Sequence, residues 1–214
     1  MRTPDRDRRR FALFALCAAL ITALVVIPPV GALSADYTVF PNGTAYSASV
    51  QIADTARYEF ADVGVLGENV PVTVGNVQLF SDNGSQALFN RSSTPWGGNP
   101  STITFPRGNY TLSFTAPLRD NHLQAIYGKA YRVNVTLPQE FDVRNPLLAG
   151  ISVGANVTRH ADNSTQVTWD KTASFDLRFY TQSRESLLYL FVNFMIVIAI
   201  VLLLPFLLTR KKAG

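Results

Sequence analysis

Gly150-Ile151-Ser152-Val153-Gly154 has the G-x-S-x-G form of a nucleophile elbow, so Ser152 is the first residue to weigh for chemistry. Such a serine needs a tight strand-to-helix turn beneath it, with an acid and then a histidine later in the chain. Here the alternation continues through Ala155–Thr158 as a strand. The one histidine downstream is His160, eight residues on, and no β/α alternation supplies a hydrolase sheet. Ser152 is therefore expected to be a glycine-flanked strand residue. His122 and His160 are the only histidines, each near an acid (Asp120, Asp162), and the only cysteine is Cys17. A zinc site wants three or four ligands from Cys, His and carboxylates, so no metal site is expected. Glu140 and Asp142 would share a face of an extended segment and could serve acid–base work or bind calcium. No calcium-loop pattern surrounds them, and a solvated strand edge is the expectation. No catalytic residue and no cofactor is expected.

Two other groups of residues suit modification or binding. Asn42, Asn83, Asn90, Asn109, Asn134, Asn156 and Asn163 each open an N-x-[ST] triplet. Thirteen asparagines at this Ser/Thr content would give about two such triplets by chance, so the excess points to glycosylation of an exported chain. Asn109, Asn134 and Asn156 also fall on the polar phase of their strands, where a sugar has room. The loop Ser92–Pro100 flanks Trp96 with a proline and two glycines. A tryptophan so placed can offer a flat face to a sugar or a partner protein, or tuck back over the end of the fold.

The elements that must position these residues are strands. Tyr110, Leu112 and Phe114 alternate with polar residues, as do Tyr131–Leu137, Ile151–Val157, Val167–Trp169 and Phe175–Phe179. Further strands are expected at Ala45–Ile52, Arg57–Phe60, Val70–Phe80 and Ser101–Phe105, with a bulge at Gly75-Asn76 where the apolar phase changes. Asn145-Pro146-Leu147-Leu148 could form one helical turn. Each strand buries one face, so two sheets packed face to face, an immunoglobulin-like or similar β-sandwich, is the expected body at 36–182.

Leu187–Leu208 carries no charge, and seventeen of its twenty-two residues are Leu, Ile, Val or Phe. Those residues supply about −5 to −10 kcal/mol of insertion free energy, more than Asn193 and Pro205 cost. A helix over 183–209 would span the bilayer, with Arg210-Lys211-Lys212 as the cytoplasmic stop in the tail 210–214. Asn193 could bond to another membrane helix or reach back to interfacial water. Residues 1–35 follow the basic, apolar, small-residue order of a secretory signal, with cleavage after Ser34 or retention as a first helix as the two readings. The net charge of +4 resides at these two ends; Asp36–Ser186 alone carries −2. That distribution removes nucleic acid as a partner and reports topology.

Phe141–Leu148, then Phe179-Tyr180 leading into the anchor, then Leu207-Leu208-Thr209-Arg210, resembles an uncharacterised family of archaeal membrane-anchored envelope proteins. The resemblance implies an envelope location and no activity. The sequence thus reads as a non-enzymatic, single-pass cell-membrane protein. Its glycosylated β domain lies outside, where it contacts envelope proteins or glycans. The alternatives are an accessory subunit docking through its transmembrane helix and, last, a serine hydrolase.

Overall fold

The computed structural model describes residues 33–63, 69–92 and 102–210. The signal segment before Leu33 and the loop carrying Trp96 lie outside these residues. The described residues belong to one compact unit that begins at Leu33. Its first strand, β1, is Leu33–Val39, which includes three residues ahead of the 36–182 body expected from the alternation. Ala35 is fully buried.

Next come β2 (Ala45–Glu59), β3 (Ala61–Val63), β4 (Asn69–Pro71), β5 (Gly75–Ser81), β6 (Asn90–Ser92) and β7 (Thr102–Pro117). Then follow β8 (His122–Leu137), β9 (Phe141–Asp142), β10 (Gly150–Ile151), β11 (Ala155–Arg159), β12 (Thr165–Arg178) and β13 (Tyr180–Thr181). One helix, α1 (Gln182–Arg210), ends the described chain.

Among the described residues, nine strands form one hydrogen-bonded sheet, in the order β10-β12-β8-β1-β2-β7-β5, with β11 on β12 and β6 on β7. β1 runs parallel to β8 and antiparallel to β2. Strand periodicity of two sends Tyr37, Val133, Val135, Leu137, Val167 and Trp169 inward, while Asp36 and Arg132 face solvent.

This nine-stranded sheet, beside the two-stranded pairs β3–β4 and β9–β13, stands where the alternation predicts two facing sheets. The reason lies in the long strands. Trp169 and Phe175 are six apart on β12, about 20 Å on a straight strand, yet their rings are 5.2 Å apart. Phe105 and Tyr110 on β7 meet at 5.1 Å, and Tyr127 and Tyr131 on β8 at 4.3 Å. Register shifts fall at the same places: between Ile52 and Thr55 on β2, and between Trp169 and Thr172 on β12. Bulges sharpen local twist and turn corners, so the sheet bends over on itself and encloses its core. The bends lie side by side. Thr55 pairs with Gly108, Thr172 pairs with Tyr131, and the Tyr131 hydroxyl donates to the Gln51 carbonyl at 2.8 Å. Arg107 clasps Asp54 on the exposed side, through Nε at 2.7 Å and Nη2 at 2.8 Å.

Two local readings change and two agree. Ile151–Val157 is not one strand: Ser152–Gly154 is a turn, Val153 is 99% exposed and Gly154 has φ of +88°. Val70–Phe80 divides into β4 and β5. The bulge at Gly75-Asn76 is present as a register shift before Gln78, with Asn76 at φ 50°. The turn at Asn145–Leu148 is present too. Leu148 and Ala149 donate to the Asn145 carbonyl.

Candidate functional site at the root of the helix

A dense polar arrangement sits where the sheet passes into α1. Pro138 ends β8, and the chain returns as β9 to pair with β13, Tyr180 opposite Asp142 and Thr181 opposite Phe141. Phe141 meets Phe179 edge to face at 5.1 Å. The β1–β2 turn closes over this pair: a Cβ on Gly43 would stand 2.7 Å from Phe141 Cζ. Its φ of +67° also favours glycine.

Asp142 is 4% exposed and fully engaged. Its Oδ1 accepts from the amides of Val143 (2.7 Å) and Arg144 (3.0 Å), and its Oδ2 accepts from Arg144 Nη2 (2.5 Å). Desolvation alone would raise this carboxyl. The Arg144 guanidinium and the two amides outweigh it and hold the group below its ordinary range. The solvated strand edge expected for Glu140 and Asp142 is corrected here. Glu140 is exposed, Asp142 is a buried anion, and the two serve no shared chemistry.

From this point the chain reaches the helix. The Asn145 amide N–H donates to the Tyr180 hydroxyl at 3.1 Å, and Asn145 Nδ2 donates to Glu185 Oε1 at 3.4 Å. Gln182 donates its amide to the Glu140 carbonyl and Nε2 to the Gln139 carbonyl, at 3.4 and 3.1 Å. Burial raises the Tyr180 phenol, so it remains protonated. The Asp142 carboxylate is engaged by one guanidinium and two amides, and the neutral Tyr180 phenol accepts from the Asn145 amide. The arrangement fixes geometry. It holds the first turn of α1 against the β body from two sides.

Ser152 lies in the turn before β11. Its carbonyl accepts from Trp169 Nε1 at 3.3 Å and its Oγ accepts from the Asp176 amide at 3.2 Å. His160 bonds Gln166 Oε1 at 3.1 Å through Nε2. His122 is the histidine that approaches an acid, with Nε2 3.1 Å from Asp176 Oδ2. That contact is out of line for a hydrogen bond, and the buried nitrogen has no such partner among the described residues. Sequence spacing could not find the pair, because β8 and β12 bring together residues 54 apart. Among the described residues no group of three metal-ligating side chains occurs.

All seven sequon asparagines stay off the core: Asn134 is half-buried and the other six are exposed. Asn42 Oδ1 accepts from the Thr44 amide and hydroxyl, and Asn83 Oδ1 accepts from the Ser85 amide and hydroxyl. Asn134 Nδ2 donates to Asp36 Oδ1 at 2.7 Å. Asn193 is exposed on α1. One feature with no sequence signal is a cavity of about 140 Å³ whose walls include Tyr37, Tyr46, Tyr58 and Tyr127. The Tyr37 and Tyr127 hydroxyls bond at 2.8 Å. Burial raises all four phenols, so they stay neutral.

Residues 33–212 match the family described as "Family of unknown function (DUF5803)", which spans the β body, the junction and α1 together. The chain belongs to this family. No curated protein matches the sequence. Among solved structures, the chain is similar to an M1 zinc metallopeptidase from Deinococcus radiodurans, crystallised as a mutant. Identity is 12% and the TM-score is 0.38, over 69% of this chain and 42% of that one. The chain thus spans less than half of that protein, and the likeness transfers neither fold nor chemistry to this DUF5803 member.

Proposed function

We propose that this DUF5803 protein is a non-enzymatic envelope protein held in the cell membrane by α1. Its glycosylated β body faces outward to contact other envelope proteins or glycans. The observation that carries this reading is α1 itself. Within Gln182–Leu204 an eighteen-residue window has a mean hydropathy of 3.0 and none of that window is buried, so water is the wrong solvent for it. The basic residues Arg210, Lys211 and Lys212 after the uncharged run Leu187–Leu208 support the direction, body out and tail in. The exposed sequons support the sugar coat. The hydrogen bonds that tie Asn145, Gln139 and Tyr180 to one another and to α1 support a structural role for the helix root.

Protease added to intact cells is expected to degrade the β body and spare an epitope placed after Gly214. Enzymatic removal of N-glycans should raise the electrophoretic mobility of the untreated chain. Survival of the body with loss of the epitope would reverse the orientation.

A second reading follows from Asn193, an amide exposed within the uncharged run Leu187–Leu208 of α1. It makes the protein an accessory subunit that docks through the membrane. Polar contacts between membrane helices are worth about 0.6 to 2 kcal/mol, enough to bias partner choice. Asn193→Leu should then abolish co-purification of membrane partners. Unchanged co-purification returns the role to the outer body.

A further inference from the structure

Resting on the reading of α1 as a membrane anchor, we infer that the turn Pro146–Ala149 is a second membrane contact. It is a lipid-facing foot beside the helix that dips into the outer interfacial layer of the bilayer.

Position comes first. Asn145, the residue opening the turn, bonds Glu185 through Nδ2. Glu185 lies two residues before Leu187, where the uncharged run begins, so it stands about 3 Å along the helix axis from the hydrocarbon edge. The polar layer on each side of the hydrocarbon is about 5 to 7 Å thick. The Asn145 amide therefore lies within that layer, and the next residues are at the same depth or within one residue length of it. A second bond, from the Asn145 backbone to the Tyr180 hydroxyl, holds the turn there.

Chemistry comes second. Backbone N–H groups without partners are costly to bring toward hydrocarbon. This turn has none to bring. Pro146 has no N–H, Leu147 donates to Asn145 Oδ1 at 3.1 Å, and Leu148 and Ala149 donate to the Asn145 carbonyl at 3.1 and 2.9 Å. Four successive apolar residues thus carry no free donor. Leu147 is 79% exposed, while the leucines of the sheet core (Leu79, Leu112, Leu123, Leu137, Leu177) are buried. The occupant that the geometry supplies is the bilayer entered by α1, since the same asparagine ties the turn to that helix.

The test uses the full chain in phosphatidylcholine vesicles with brominated acyl chains. Cys17, the only cysteine, is replaced by serine. Leu147→Cys, Phe191→Cys and Leu88→Cys are each labelled with an environment-sensitive fluorophore. Phe191 reports the helix, and Leu88, 92% exposed between β5 and β6, reports the body away from the helix root. The expected result is quenching and a blue shift at positions 191 and 147, with neither at 88. If 191 is quenched while 147 behaves like 88, the foot is overturned and the anchor stands. If 191 is not quenched, the anchor reading falls and the foot with it. Leu147→Asp, at an exposed site the fold tolerates, should shift labelled position 148 toward the aqueous spectrum. An unchanged spectrum there would also overturn the contact.

Discussion

Asp142 is the residue on which the helix root turns. Its carboxylate is buried against one guanidinium and two amides, and the loss of one charged acceptor in such a site costs about 2 kcal/mol. Asp142→Asn is expected to lower stability by that amount in detergent-solubilised full chain, read from denaturant midpoints. The folded group titrates below its unfolded counterpart. Its contribution is therefore complete above the unfolded value near 4 and fades as pH falls through the lower folded value. The variant should accordingly flatten the acid limb of the stability curve. Gly43 gives a second contrast. Gly43→Ala incurs both the left-handed backbone and the overlap with Phe141, whereas Gly84→Ala, with φ +78° and open space around it, incurs only the first. The first substitution should cost distinctly more than the second, which is held to about 1–2 kcal/mol by backbone strain alone. Thermal melts of the two variants would rank them.

At the level of strands, alternation told which residues face inward but not where the sheet bends. Val133, Val135, Val167 and Trp169 were legible because a half-buried strand writes its burial every second residue. The bends were not. They follow from pairing irregularities between strands distant in sequence, and a periodic pattern reads the same on a straight strand and a folded one. The turn at Ser152–Gly154 was hidden for a related reason: Val153 keeps the apolar phase of its neighbours yet stands in solvent. The buried anion at Asp142 left a trace, an arginine two residues on, but a charged residue near a strand end is usually solvated. Trp169 joins the two arms of β12 through Phe175, and its truncation opens a large void at the corner. Trp169→Ala should cost about 3–5 kcal/mol. Val153→Ser, sixteen residues before it in the chain and wholly exposed, should change stability by less than about 0.5 kcal/mol. Denaturation of both variants in the same detergent gives the comparison.

For the molecule as a whole, the family match covers body and helix as a unit, and the junction explains why the two belong together. A chain ended after Thr181 loses the C-terminal apolar span and, with its signal cleaved, is expected in the medium, where the full chain sediments with membranes. Recovery of the shortened chain in the membrane pellet would place its attachment elsewhere. The passage from β12 through β13 to α1 contains one residue, Phe179, that belongs to neither strand, and that residue is buried. No exposed linker residue separates the sheet from the helix. Where α1 crosses a bilayer as proposed, the body would stand as a post set in the membrane, unlike a kite on a string: its reach from the lipid would be its own height, and sideways force applied to it would become tilt of the helix.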